Sequence, residues 1–281
     1  MNNTDFLVQP QWLQAHLQDD NVVVVDCQWD KNAYIRAHIP GALMRPGHPY
    51  IKATTEDGQL SKYLPTEQEF IALMAQMGID NDTQVVCYDE WGNHFATRFW
   101  WVASYYGHTN VSILDGGWQG WLDAGFPVSF KGTTPKKQQK QFIVKQNPEL
   151  KIELQELLDH LSKSDWQVLD VRSQAEFEGK DLAGNHRGGH IKGAIHLEWK
   201  HLLTHLNQSN EVNYFLPEKE MTALLEKVGV SKEKNTIVHC QSGVRASFMV
   251  FCLTKLGYPN VRLYDGSMSE WANESHTPLE V

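Results

Sequence analysis

Six short segments of the chain, residues 22–25, 85–87, 111–114, 167–169, 236–238 and 261–264, are almost continuously apolar and show no alternation. Runs of that kind suit strands covered on both faces, as in a parallel sheet flanked by helices. Between them, residues 70–77 and 221–228 carry apolar side chains at helical spacing, and each stretch ends beside a glycine, Gly78 or Gly229. Residues 246–255 have strong helical potential as well. Strand and helix therefore alternate, and the pattern predicts an α/β protein. No segment reaches the roughly 18 apolar residues of a membrane span.

The pattern occurs twice. Val22-Val-Val-Val-Asp26 corresponds to Gln167-Val-Leu-Asp170, and Ala37-His-Ile-Pro-Gly-Ala42 to Gly189-His-Ile-Lys-Gly-Ala194. Tyr63-Leu-Pro65 pairs with Phe215-Leu-Pro217, and Val111-Ser-Ile-Leu-Asp-Gly116 with Val261-Arg-Leu-Tyr-Asp-Gly266, in the same order. Such self-similarity identifies the folding unit. Residues 131–140, rich in Lys, Gln, Thr and Pro, suit an exposed connection. The expected organisation is an N-terminal domain over 1–130, a linker over 131–147 and a homologous C-terminal domain over 148–281. Residues 142–144 read as a short strand tying the connector down.

Composition narrows the class. Of the 281 residues, 41% are apolar and 21% charged, which fits a globular chain, and the formal charge of −9 disfavours a nucleic-acid-binding surface. The first residues, Met-Asn-Asn-Thr-Asp-Phe-Leu-Val, lack a basic start and a long apolar run, so a cytoplasmic protein with no membrane partner is expected. Cys27, Cys87, Cys240 and Cys252 form no C-x-x-C pair, which argues against a disulfide framework or a metal site. Three of the four read as small buried apolar residues.

Cys240 stands apart. The repeat sets Tyr88-Asp-Glu-Trp-Gly92 opposite His239-Cys-Gln-Ser-Gly243, so Asp89 occupies the place of Cys240, and the first half has one extra residue in its loop or its following helix. Cys240 follows a buried strand and precedes a helix, the position at which α/β sheets bind ligands. Loop N–H groups and the helix N-terminus would favour a thiolate there, and a lowered thiol pKa makes a nucleophile. Gly243 permits the tight reversal, and Arg245 supplies a permanent cation for an anionic substrate or a persulfide. His239, the last strand residue, should point to the opposite side from Cys240, and Asp170 and Arg172 should organise a turn. Trp100, Trp101, Trp118, Trp121 and Trp271 read as packing residues.

With these motifs in place, the chain resembles a tandem-domain sulfurtransferase of the rhodanese family. The resemblance rests on Cys240-Gln-Ser-Gly-Val-Arg245, on His38-Ile-Pro-Gly-Ala42 with His190-Ile-Lys-Gly-Ala194, and on Leu114-Asp-Gly-Gly-Trp118 with Tyr264-Asp-Gly266. It implies two rhodanese-like domains, each a mostly parallel sheet flanked by helices, the first having lost its cysteine to Asp89. It implies a ping-pong cycle through a Cys240 persulfide, held by Gln241, Ser242, Gly243, Val244 and Arg245, with no metal or organic cofactor. The partners would be a small anionic sulfur donor and a thiophilic acceptor, cyanide or a thiol, including a protein thiol.

The donor is expected to be thiosulfate. In that family, mercaptopyruvate enzymes carry C-G-S/T-G-V-T and use two cations before the His motif. Here Glu176 precedes Phe177, and Arg187 alone matches the second cation, as a candidate donor-binding residue. The alternatives are 3-mercaptopyruvate as donor and a persulfide carrier or regulatory module serving a protein partner. A phosphatase loop, C-x5-R, is disfavoured because Ala246 stands six residues after the cysteine and Arg245 comes one residue early. About eight more residues separate Asp170 from His190 than separate Asp26 from His38, and that insertion would shape the donor pocket.

Overall fold

The computed structural model describes residues 6–135, 141–205 and 211–281. The start of the chain and the second half of the proposed connector, on which two of the expectations above fall, lie outside the described residues. The chain divides into two units. One comprises Met1–Gln59, Leu64–Asn147 and Leu203–Phe215, the other Leu60–Tyr63, Pro148–Leu202 and Leu216–Val281.

In the first unit the apolar runs form strands as their pattern requires. Its elements are β1 (Leu7–Val8), α1 (Pro10–His16), β2 (Val22–Asp26), α2 (Lys31–Arg36), β3 (Leu43–Met44), α3 (Glu67–Gln76), β4 (Gln84–Tyr88), α4 (His94–Tyr105), β5 (Val111–Leu114) and α5 (Gly117–Asp123). The sheet runs β1-β5-β4-β2-β3, and every pairing in it is parallel. Val85, Val86, Cys87 and Tyr88 on the central strand β4 are fully buried. That is why β4 carries no polar alternation.

The second unit repeats the plan with β6 (Lys151–Ile152), α6 (Leu154–His160), β7 (Trp166–Asp170), α7 (Gln174–Phe177), β8 (His190–Ile191), β9 (Ile195–His196), α8 (Glu218–Lys227), β10 (Asn235–His239), α9 (Val244–Lys255), β11 (Val261–Tyr264), α10 (Ser267–Trp271) and β12 (Leu279–Glu280). Its sheet runs β6-β11-β10-β7-β9, again all parallel and in the order of the first. β8 and β12 add a short antiparallel pair that the sequence pattern did not announce. The two-residue edge strands β1 and β6 were equally silent, being too short to carry a period.

Helix ends follow local chemistry. α3 starts with a capping box between Thr66 and Glu69, and the chain leaves it through Gly78 at φ +66°. α8 is followed by Gly229 at φ +92° in the same way. Trp101, Trp121 and Trp271 are wholly buried, as packing residues should be. Residues 142–144 are not a strand; Phe142 instead anchors its segment by burying its ring against Phe70, 5.5 Å between centroids, and His108. No helix among the described residues is long and apolar enough to cross a membrane.

Candidate active site

Cys240 follows the last residue of β10 and precedes α9, at the carboxyl end of the central strand of the second sheet. The residue is 1% exposed. Its backbone is held on both sides by the turn after β11: the Cys240 N–H donates to Ser267 Oγ at 3.2 Å, and the Cys240 carbonyl accepts from the Met268 N–H at 3.1 Å. The Gln241 carbonyl accepts from Ser269 N–H at 2.9 Å. The sulfur is therefore presented by a main chain with little freedom.

The loop from Cys240 to Gly243 turns because Gly243, at φ +81°, adopts a left-handed conformation that costs a glycine nothing. α9 then begins at Val244, with Arg245 in its first turn. Among the described residues, the N–H groups of Ser242, Gly243, Val244, Arg245 and Ala246 make no protein hydrogen bond. They are the orphan donors of a helix start, and α9 with 12 residues is long enough for its dipole to reinforce them. The loop thus brings together Cys240, Gln241, Ser242, Gly243, Val244 and Arg245 as the sequence grouped them. Arg187 makes no hydrogen bond to this loop among the described residues. Its guanidinium donates to the carbonyls of Trp271, Ala272, Glu274 and Thr277, closing the C-terminal segment onto the loop before β8.

Three side chains around the loop make contacts that the sequence did not show. Glu176 accepts both terminal nitrogens of Arg245 at 2.7 Å in a fork-to-fork pair. Burial resists the charge on Glu176, but Arg245 and the capping bonds from Ser173 outweigh it and bring its pKa down to about 2. The signal was present as Ser173-Gln-Ala-Glu176, a capping box. Asn185, in the insertion before β8, exchanges two amide hydrogen bonds with Gln241, at 3.0 and 2.9 Å, and Asn273 donates to it at 3.2 Å. Gln241 is thereby tethered to the insertion. Ser267 is the third, a non-glycine residue at φ +52° whose hydroxyl donates to the Tyr264 carbonyl while accepting from Cys240 N–H. An isolated sequence gives no sign of that strain.

Beneath the loop, His239 is wholly buried and its Nε2 lies 3.6 Å from Asp170. Burial lowers its pKa to about 4 despite the carboxylate, so the ring is neutral near pH 7. Arg172 binds Asp170 through Nε and Nη2, at 2.6 Å for the shortest contact, and also reaches the Gly189 carbonyl at 2.8 Å. The pair organises the turn after β7. Cys27, Cys87 and Cys252 are buried and unpaired, and burial pushes the Cys87 and Cys252 thiols up. Among the described residues, no group of three or more His, Cys, Asp or Glu could hold a metal ion.

The corresponding point of the first unit is arranged around Asp89. Its Oδ1 accepts from the N–H groups of Trp91 and Asn93 at 2.7 and 2.8 Å, and its Oδ2 from those of Phe95 and Ala96 at 2.8 and 2.9 Å. Its carbonyl accepts from Trp118 N–H at 3.0 Å, as that of Cys240 does from Met268. The extra residue of this half lies in the loop, which runs from Asp89 to Asn93, since α4 and α9 both have 12 residues.

The chain is 32% identical to the sulfur carrier protein TtuD of Thermus thermophilus, over 98% of this chain and 96% of that one. It is also 32% identical to the 3-mercaptopyruvate sulfurtransferase of Escherichia coli K12, over 99% of both chains. A protein of Mycolicibacterium smegmatis named "Putative thiosulfate sulfurtransferase" is 32% identical over 100% of this chain and 99% of that one. Among solved structures, the anaerobic ergothioneine biosynthesis enzyme from Chlorobium limicola shares the fold with a TM-score of 0.85 at 24% identity, covering 98% of this chain and 70% of that chain. The rhodanese-like domain matches residues 9–124 and again residues 153–274. The chain therefore belongs to the rhodanese family of sulfurtransferases, as a tandem of two rhodanese-like domains.

Proposed function

We propose that Cys240 carries the transferred sulfur as a persulfide and that thiosulfate is the donor. The thiolate attacks the outer sulfur of thiosulfate, the S–S bond of the donor breaks, and sulfite leaves with the bonding electron pair. The terminal sulfur of the persulfide is then attacked by cyanide or a thiolate, and the Cys240 thiolate is restored. No electrons are supplied from outside, and both steps are displacements at sulfur.

One observation carries this reading. Asp89 fills its loop with a carboxylate that accepts four backbone N–H bonds, whereas the matching loop of the second unit puts a cysteine there and leaves the N–H groups of 242–246 without a protein acceptor. Donors converging on a place where negative charge resides stabilise it much as an oxyanion hole does. A persulfide anion suits that cradle, with Gln241, Ser242, Gly243, Val244 and Arg245 forming it.

The choice of thiosulfate is supported by the surroundings. The pair of cations expected of a mercaptopyruvate enzyme is not met as such, because Glu176 stands at the first position and Arg187, at the second, spends its donors on backbone carbonyls. A role for Arg187 in binding the donor requires those bonds to open. The curated relatives do not discriminate, since carrier, mercaptopyruvate and thiosulfate names all occur at 32% identity. The carrier name favours a second reading, in which a protein thiol is the acceptor. A cytoplasmic setting fits four unpaired cysteines.

The test is a mass measurement on the intact protein. Thiosulfate should add one sulfur atom at Cys240 and cyanide should remove it. Loading by 3-mercaptopyruvate alone would reverse the donor assignment, and loading by neither would reject the enzyme reading.

A further inference from the structure

Arg245 is the cation of the catalytic loop, and it is already engaged. Glu176 takes both of its terminal nitrogens at 2.7 Å, and the Glu176 side chain is only 8% exposed while that of Arg245 is 26% exposed. Glu176 is itself fixed, because Oε2 accepts from the Ser173 N–H at 3.1 Å and from the Ser173 hydroxyl at 2.8 Å. The carboxylate cannot swing away without uncapping α7. An oxyanion that approaches the loop therefore meets a guanidinium whose fork is occupied by a carboxylate of the protein.

The first unit indicates whether the fold needs this pair. Tyr34 stacks on His38 with centroids 3.9 Å apart, and Phe177 stacks on His190 at 3.7 Å, which aligns Ala33 with Glu176. The second residue of α4 is Phe95 where α9 has Arg245. The same architecture stands with Ala33 and Phe95 in place of the ion pair. The pair occurs in the half that has the cysteine, and a role in the reaction accounts for it better than a role in folding.

We infer that Glu176 is a specificity-determining residue that acts as a built-in competitor for Arg245, weakening the loop's hold on oxyanions so that a sulfite leaving group departs readily. The inference rests on the proposed sulfur transfer at Cys240 and concerns the site's affinity for the leaving oxyanion. Sulfite and thiosulfate each present oxygens that match the guanidinium fork as a carboxylate does. With Glu176 in place, either must displace it or share the cation. Without Glu176, Arg245 would grip both donor and product, and turnover would become limited by release of sulfite.

The test uses Glu176→Gln, which keeps a side chain able to cap α7 at Ser173 but removes the charge. Sulfite is titrated calorimetrically into Cys240→Ser and into Cys240→Ser combined with Glu176→Gln, and the second protein should bind it about tenfold more tightly. In enzymes retaining Cys240, Glu176→Gln should lower KM for thiosulfate, strengthen product inhibition by sulfite and lower kcat. Adding Arg245→Gln should erase the gain in sulfite affinity, as a double-mutant cycle requires. Unchanged or weaker sulfite binding in the Glu176→Gln background, or a gain that survives Arg245→Gln, overturns the inference. Should Glu176→Gln be insoluble, Glu176→Asp, which keeps the charge but shortens its reach, must shift sulfite affinity in the same direction by a smaller factor. The donor assignment fails separately, if wild-type protein gains no sulfur from thiosulfate while the sulfite titrations still read the loop.

Discussion

The loop at Asp89 and the loop at Cys240 sit at equivalent ends of equivalent strands, and they treat the same backbone in opposite ways. In the first, an internal carboxylate takes four N–H donors and the anion site is permanently filled. In the second, the side chain is a thiol, the loop is one residue shorter and the N–H groups of 242–246 have no protein acceptor. A filled anion site stabilises its own unit, whereas an open one is available to charge that forms during a reaction. On the proposed function, the two halves separate a structural use of this loop from a chemical one.

Filling the second loop should therefore abolish its chemistry. Cys240→Asp is expected to reduce sulfur transfer to background in a thiosulfate–cyanide assay, as Cys240→Ser should, while circular dichroism stays that of the wild type. Residual transfer above background in either variant would move the nucleophile elsewhere. Emptying the first loop should have the reverse effect. Asp89→Ala strands four N–H groups, three of them buried, and is expected to cost about 3 kcal/mol in urea unfolding of that unit, because hydrogen bonds to a charged group are each worth more than neutral ones. A change below about 1 kcal/mol would mean that the carboxylate is not the keystone of its loop.

The strand ends below the loops differ in the same spirit. Asp26 and Asp170 close β2 and β7, yet Asp26 faces the Tyr88 hydroxyl at 2.6 Å and the Gln28 amide at 3.1 Å, whereas Asp170 faces Arg172 and His239. Burial, aided by Asp89 and Glu90, pushes Asp26 up to about 7 against its hydrogen bonds, while Arg172 and His239 overcome burial and hold Asp170 below the ordinary carboxylate range. A carboxyl raised on folding adds stability that is complete below its unfolded value near 3.8 and is lost as pH rises through about 7. His239, lowered from 6.5 to about 4, adds stability that is complete above 6.5 and is lost as pH falls toward 4. The first unit should thus lose about 2 kcal/mol between pH 5 and 8, a loss that Asp26→Asn removes. A flat wild-type profile over that window would reverse the assignment for Asp26.

Much of this was legible in the chain. The strands showed themselves because buried parallel strands tolerate no polar alternation, and the repeat placed Asp89 against Cys240 before any coordinates were needed. What stayed hidden depends on long-range contact. Glu176 looked like a missing cation, because the sequence shows the absence of an Arg but not the 2.7 Å approach to Arg245, 69 residues away. Gln241 was grouped with the persulfide cradle by resemblance, and nothing in the sequence pointed to Asn185, 56 residues away, which holds its side chain. Residues 142–144 had strand-like composition and found no strand to pair with; the buried Phe142 ring and a pair of 2.8 Å hydrogen bonds between the Ile143 backbone and the Asn81 side chain hold them instead.

Ser267 offers the finest division between the two halves. Gly117 and Ser267 hold the same place after β5 and β11, at φ +54° and φ +52°. In the first unit a Cβ at Gly117 would meet the Asp89 carbonyl at 2.3 Å, so that loop accepts only glycine. The second unit admits a serine there at a left-handed strain of about 1–2 kcal/mol, and its hydroxyl secures the Cys240 N–H. Ser267→Gly should relieve that strain while losing hydrogen bonds worth a similar amount, leaving unfolding free energy within about 1 kcal/mol of wild type. Its effect on turnover should be out of proportion, a loss of about three- to tenfold in kcat, because the Cys240 main chain would no longer be held where the sulfur must meet the donor. Ser267→Ala keeps the strain without the hydroxyl and should be the less stable of the two with a similar loss of rate. If both variants turn over at the wild-type rate, the hydroxyl has no part in placing Cys240, and the serine at this position would distinguish the halves without serving the reaction.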